Sequence, residues 1–482
     1  MKYCFWFTVA YGIGTFQTAW AASGNANTHV IFRDKLGWDE DEAVLYNTII
    51  STAGVLGLFI GSFLGGLILK LGRRPTVIIA QALGIASALP SMIVNVPMLT
   101  IARLLCGTSA GIYNVVFGKL ITETLPPQIM SQFCMAHNGL ICVGFFVVFL
   151  MGAFLPDAED LQANKDDEMW RIIWLGSAAI GVYQIIITLF VLTQEPVAYC
   201  VMTGDDDEGR KHMARVYRKK DPDSPEKFED IIEEEYNRLK ANTTLDAAST
   251  TFKDSVCGRK YRAGTWFCFI FNTFNQQTGI NAVNVYANSL LVQMQSQGGD
   301  FPLTPIQGGY MIGAANMVFA CCSSLYANRL GRKTILIIGQ LLMCLLLFVC
   351  GLAVQNGWAM VSFVTIVLFV GAFQGTMGSI AWLYVPEVCV DAGTGFAVAS
   401  QFCNLTIICL TFDFMIHSGM GVYGALWYHS AWCLGGWLFV IFVMRETRGL
   451  TDFEKKTIYT PKEVLEEEAR EIELQKLAKK EQ

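Results

Sequence analysis

"LGRRPTVIIAQ" at Leu71–Gln81 and "LGRKTILIIGQ" at Leu330–Gln340 follow one pattern: a glycine, two cations, then an apolar run closed by glutamine. The copies stand 259 positions apart (330 minus 71). Solenoid units repeat at roughly 20–50 residues, so a repeat on this scale predicts two homologous halves instead.

What flanks the repeat tells what the halves are made of. Of 482 residues only 16% are charged and 53% are hydrophobic, against about 25% charged in soluble domains. The apolar residues fall in stretches of about 20, the length that crosses a ~30 Å hydrocarbon core. They lie near 5–25, 48–69, 75–95, 98–121, 132–155 and 170–193, then 262–292, 306–328, 333–354, 360–384, 395–417 and 421–444. The reading is an all-α integral membrane protein with twelve transmembrane helices, six plus six. The first stretch follows "MKY" directly and carries Gln17, too long and too polar for a cleaved leader, so it is read as a retained helix. The expected division is 1–195 for a first six-helix bundle, 196–261 for linker helices, 262–445 for a second bundle and 446–482 for a helical tail.

Basic residues set the expected topology. Lys70, Arg73 and Arg74 follow the second stretch, Arg329, Arg332 and Lys333 the eighth, and Arg445 and Arg448 the twelfth. If the stretches alternate, these loops share one side, which the positive-inside rule makes cytoplasmic, both termini included. The opposite loops, "WDEDE" at 38–42 and 156–168, are acidic. The connection "EKFEDIIEEEYNRLKA" at 226–241 has apolar residues at helical spacing, the mark of a surface helix. No nucleophile–base pair, phosphate-cradling glycine loop or metal-ligand spacing is written anywhere, so neither an enzyme nor a cofactor is expected.

A glycine and two cations between spans anchor the turn and offer guanidinium groups to carboxylates on neighbouring helix ends. Glutamates recur at matched places. Glu123 follows the fourth stretch and Glu387 the tenth; Glu195 follows the sixth and Glu446 the twelfth. The positive-inside rule explains the cations but not these glutamates. Paired gate charges are therefore expected among Arg73, Arg74, Glu123, Glu195, Arg332, Glu387 and Glu446.

With these residues in order, the chain resembles the sugar porter family of the major facilitator superfamily over nearly its whole length. Gly72-Arg73-Arg74 and Gly331-Arg332-Lys333 carry the likeness, as do Arg103, Gly107, Gly111 and Glu123 in the fourth stretch. "NQQTGINAVNVY" at 275–286 and "RETRG" at 445–449 extend it. The resemblance implies two six-helix bundles rocking around a midplane site, latched on the inside by ion pairs. By position, the substrate contacts it implies are Gln17, Asn138, Asn275, Gln276, Asn281, Asn316, Gln374 and Trp382. Uncharged amides donate and accept, and an indole offers a face for C–H groups, as a sugar requires. Any one such amide also serves as an ordinary interhelical bond. The cluster at 275–277 is harder to place in lipid without a cavity or partner.

The implied activity is facilitative transport of a hexose or similar neutral polyol, because Ala21 stands where proton-coupled members carry Asp. The expected partners are that small neutral sugar and membrane lipid, with no nucleic acid, in a monomer or a subunit of a membrane complex in the plasma membrane. There are departures from the family pattern. Trp20 and Ala21 replace a Tyr and an Asn or Asp, and Gly118 and Leu120 replace Pro and Tyr. "GTMGSIAW" at 375–382 has no proline hinge, Met130 and Gly393-Thr394 stand where arginines are expected, and Asn328 replaces an acid. Such losses fit a divergent carrier or a transport-inactive scaffold subunit of a larger membrane complex. Asp413 and His417, four apart on one helix face, read as an interfacial pair.

Overall fold

The computed structural model describes the chain apart from residues 1, 26–27, 153, 157–159, 218–224, 244–249, 286–304, 324, 326–329, 418, 469 and 471–482. The side chains of Asp413 and His417 also lie outside the described residues, as does Asn328.

Among the described residues, eight helices are long and apolar enough to cross a membrane unaided. They form the second span (Glu40–Ile68), the fourth (Val96–Thr124), the fifth (Pro127–Gly152) and the sixth (Met169–Ile186, extended by a π turn to Val191). The ninth (Arg332–Gln355), tenth, eleventh (Asp391–His417) and twelfth (Gly421–Phe442) complete the eight. The remaining spans are interrupted or short: the first (Lys2–Gly12, Ile13–Thr15, Phe16–Ser23), third (Arg73–Ala86, Ala88–Ser91), seventh (Arg262–Gln277, Ile280–Val285) and eighth (Pro305–Ser323). The result is the twelve-helix major facilitator fold, all α among the described residues. The acidic 38–42 stretch is a helix start rather than a loop. Asp39 accepts from the Glu42 backbone N–H, and Glu42 answers to Asp39, a capping box that satisfies two orphan donors.

The tenth span breaks although no proline stands there. Thr376 (φ −128°, ψ −88°) separates Ala359–Gly375 from Met377–Val388. The seventh breaks at Gly279 (φ +85°), where an added Cβ would sit 2.6 Å from the His429 ring. The first and seventh, equivalent spans of the two halves, are thus both discontinuous, a pattern that marks the transport site in repeat-built carriers.

Small residues set the helix spacing. A Cβ on Gly61 would lie 2.1 Å from Thr108 O, and one on Gly107 2.1 Å from Gly54 O, so the second and fourth spans touch backbone to backbone. The two halves meet in the same way. A Cβ on Gly66 of the second span would lie 2.7 Å from Gly395 Cα of the eleventh. This contact sits at the end of the bundle that carries the Gly-basic turns, called here the basic end.

Four linker helices (Val197–Thr203, Asp206–Val216, Pro225–Asn242, Phe252–Cys257) connect the halves there. Ile232 and Tyr236 are buried against Val197, Val201 and Met213, which bears out the helical spacing at 226–241. Phe252 packs its ring against Phe63 of the second span (5.3 Å) and Phe396 of the eleventh (5.8 Å), so the last linker helix touches both halves.

Candidate functional site

The repeated turn builds the same cradle twice. Glu195 accepts from the backbone N–H groups of Arg73 and Arg74, each at 3.1 Å. Glu446 accepts from those of Arg332 and Lys333, each at 3.0 Å. Both carboxylates therefore cap the open amides at the N-terminus of the third or ninth span, where negative charge is favoured. Glycine makes the approach possible: a Cβ on Gly331 would lie 2.4 Å from Glu446 Oε2, and Gly72 (φ +115°) would place one 3.1 Å from Glu195 Oε1.

The second cation of each turn closes the facing helix. Arg74 Nη2 donates to Thr188 O at 3.0 Å, and Lys333 Nζ donates to Ile441 O at 2.8 Å. The first cation of each turn finds the glutamate. Arg73 donates to Glu123 through Nε (2.7 Å) and Nη2 (2.6 Å), a two-pronged pair. Arg332 Nη2 donates to Glu387 at 3.2 Å, and Lys455 Nζ and Thr447 Oγ1 reach the same carboxylate at 2.8 Å each. Arg73, Arg332 and Glu387 are all under 5% exposed. Of the seven expected gate residues, Arg73, Glu123, Arg332 and Glu387 make ion pairs, whereas Arg74, Glu195 and Glu446 serve as caps.

Three residues absent from the expected set complete the basic end. Asp391 pairs with Arg73 (3.0 Å) and Lys119 (3.4 Å), and Lys119 also donates to Cys389 O at 2.8 Å. Ser131 Oγ accepts from Arg332 Nη2 at 2.6 Å.

Midway along the spans the amides join head to tail across the halves. Asn138 on the fifth span donates to Gln374 Oε1 on the tenth at 2.6 Å. Gln374 donates to Asn316 Oδ1 on the eighth at 2.5 Å, and Asn316 donates to Asn284 Oδ1 at 2.9 Å. A second run lies on the seventh span. Asn281 donates to Gln276 Oε1, Gln276 to Asn275 Oδ1 (3.3 Å), and Asn275 to Met377 O (3.2 Å) at the break in the tenth. Trp382, about one and a half turns beyond that break, packs at a 45° tilt against His137 of the fifth span with ring centres 4.4 Å apart. Asn404 of the eleventh span, which the sequence reading passed over, accepts from Gln277 at 3.1 Å.

Gln17 stands apart from this chain. It donates to Gln81 Oε1 (2.8 Å) and Ser177 O (3.1 Å) and accepts from Ser109 (2.9 Å), all within the first half. Arg103 is likewise internal, capping Trp20 O (2.5 Å) and Ala21 O (2.7 Å) at the end of the first span.

A histidine ties the linker to this frame. His212 Nδ1 donates to Glu195 O at 2.5 Å, which leaves Nε2 to accept from Tyr3 Oη at 3.1 Å. Burial pushes its imidazole down to about 4, the Glu195 carbonyl opposing and Arg215 adding to the shift. A free histidine titrates near ~6.5, so between these values the undocked helix takes up a proton that the docked one refuses. Docking is therefore favoured above pH ~6.5 and weakens as pH falls towards about 4. Amide exchange over 206–216, corrected for intrinsic rates, should speed up on going from pH 7.5 to 5, and His212→Gln should flatten that slope. An equal slope in the variant would remove His212 as the cause.

With this geometry in place, the chain's relatives are informative. Residues 8–459 match the model of the family described as "Sugar (and other) transporter". The chain belongs to that family, and it is an integral, multi-pass membrane protein. A facilitated trehalose transporter (Tret1) of Bombyx mori is 27% identical over 93% of this chain and 85% of its own length. Hexose transporter 1 of Toxoplasma gondii is 24% identical over 91% and 80%. Among solved structures, a proton:xylose symporter, XylE, bound to 6-bromo-6-deoxy-D-glucose superimposes with a TM-score of 0.81 at 19% identity, covering 95% of this chain and 99% of that one. An inward-open form of the E. coli xylose transporter gives 0.68 at 18% identity, covering 95% and 100%.

Proposed function

We propose that the chain is a facilitative carrier of a hexose or related neutral polyol, working by alternating access with the basic end in the cytoplasm and both termini inside. The observation that carries this reading is the amide chain from Asn138 through Gln374 and Asn316 to Asn284, which crosses between the halves. Each link uses one amide as donor and the next as acceptor. A sugar hydroxyl is both, so it inserts into such a chain without leaving a buried amide unpaired. A carboxylate or ammonium group satisfies only one side of each link. Trp382 supplies the aromatic face beside it. The family and the named relatives, carriers of trehalose or hexose by title, support the substrate class.

The passive mechanism rests on Ala21, which offers no proton-binding group in the first span, and on the uncharged amide chain. Opening towards the cytoplasm requires Gly66 to part from Gly395 and Asp391 from its cations, while the capped turns move with their own halves.

Uptake of labelled hexoses and trehalose into proteoliposomes tests this directly. Uptake should follow the sugar gradient, saturate, and ignore an imposed pH gradient. Accumulation driven by pH would refute the passive mechanism and keep the carrier. Purified protein that binds no hexose, polyol or disaccharide at millimolar concentration would assign the chain to a scaffold role instead.

A further inference from the structure

Lys119 is the least expected charge in the molecule. It lies within the fourth span, 1% exposed, flanked along the helix by the buried apolar residues Val115, Val116, Phe117, Leu120 and Ile121. Its contacts, Cys389 O and Asp391 Oδ1, both belong to the second half. Asp391, itself 3% exposed, also holds Arg73 of the first half. Among the described residues, these are the ion pairs that cross between the halves, and both end on Asp391. The second-half cluster differs. Arg332, Glu387 and Lys455 pair among themselves, and Arg332 reaches the first half through the neutral Ser131 hydroxyl. Met130 and Gly393 or Thr394 stand where the family resemblance calls for arginines.

We propose that Lys119 and Asp391 form the charge link that holds the halves together at the basic end, with cations on the first half and the carboxylate on the second, in place of the missing arginines. This rests on the alternating-access reading above. An ammonium group buried in a helix costs several kcal/mol unless a counter-charge and hydrogen bonds meet it. Here the direct partners come from the other half, with Glu123 of the first half acting only at longer range and bound to Arg73, so Lys119 is compensated while the basic end is shut and loses its ion pair when it starts to part. Water then hydrates all three charges together, so the link breaks as one unit. Glu123 keeps Arg73 neutralised in either state, because both belong to the first half. Lys119 has no such resident partner among its contacts, and it is therefore the group that senses closure.

Native cysteines supply the readout. Cys134, 1% exposed, lies within electrostatic reach of Arg332, Glu387 and Lys455. The protein is reconstituted in vesicles with Cys257→Ser removing an exposed thiol on the linker. A membrane-impermeant maleimide is added on the basic side, and Cys134 labelling is timed by peptide mass spectrometry. Asp391→Asn should raise the rate about tenfold or more, since it strands the Lys119 ammonium, and Lys119→Met should raise it less, because Arg73 still holds Asp391 across the halves. The double variant should add little beyond Asp391→Asn, because that change alone already removes both pairs that end on Asp391. Asp391→Glu, which keeps a carboxylate opposite both cations, should stay near the parent value.

Parent-like rates in both single variants, or a double variant whose effect multiplies, would overturn the proposal. Equal labelling of Cys106 and Cys433, buried elsewhere in the two halves, would expose a variant that has unfolded; Asp391→Glu then decides, a parent-like rate keeping the link and a rate as fast as Asp391→Asn overturning it. No sugar enters this measurement. A chain that transports nothing but shows the coupling keeps the link and loses the carrier, and an active carrier without the coupling does the reverse.

Discussion

Gly395→Leu should abolish closure at the basic end and with it at least about nine-tenths of sugar uptake. An added Cβ at 395 would meet Gly66 Cα at 2.5 Å, Gly66 N at 2.6 Å and Ser62 O at 2.8 Å. All three are backbone atoms on a helix of the other half, so nothing flexible is available to yield. Overpacking of this kind typically costs ~1–3 kcal/mol even where side chains can adjust. The cheapest relief is for the second and eleventh spans to separate, which favours the state open at the basic end. Cys134 labelling from that side should rise while substrate from that side still binds. Gly313→Ala is the matching control, because an added Cβ there finds nothing within 4 Å. Wild-type uptake in Gly395→Leu would mean that this contact is not used in the cycle.

The second large effect concerns the amide chain. Gln374→Ala would leave Asn138 Nδ2 without its 2.6 Å acceptor and Asn316 Oδ1 without its 2.5 Å donor. An unpaired buried polar group costs ~1–3 kcal/mol, so sugar affinity should fall by a factor of about 5 to 150. Trp382→Ala removes the aromatic face and should weaken binding to a similar degree. Gln17→Ala should behave differently. Its partners Gln81, Ser109 and Ser177 all lie in the first half, so thermal stability should drop while sugar affinity stays within about twofold. If the Gln17 variant loses affinity and the Gln374 variant does not, the site lies inside the first half and the reading of the chain is reversed.

Much of the frame was legible because it is written twice. The two Gly-basic turns, with glutamates after the fourth and sixth helix of each half, pointed to matched charges at one end, though not to the backbone cradles that Glu195 and Glu446 fill. The paired roles were less legible. Arg74 and Lys333 look like gate charges, but their side chains close carbonyls on the sixth and twelfth spans. Hydrophobicity alone could not mark Lys119 and Asp391, since a lone cation in an apolar run acquires meaning only when the residue opposite is known. The interruption of the tenth span was hidden for another reason. Proline is the usual written signal, and here Thr376 takes the break without one. The amides expected at the site were carried over by position from the family resemblance, yet only geometry separates Gln17, bonded within one half, from Asn138, bonded across two.

One consequence of the cradles concerns how a duplicated gene is free to drift. Main-chain amides, not side chains, grip Glu195 and Glu446. The letter at 74 or 333 is therefore not what specifies the cap, and one copy carries Arg where the other carries Lys. The constraint falls two residues before, where a Cβ at 331 would collide with the bound carboxylate and one at 72 would crowd it on a backbone with φ +115°. Divergence between the copies can rewrite the cations, but the position that both must keep is the one with no side chain.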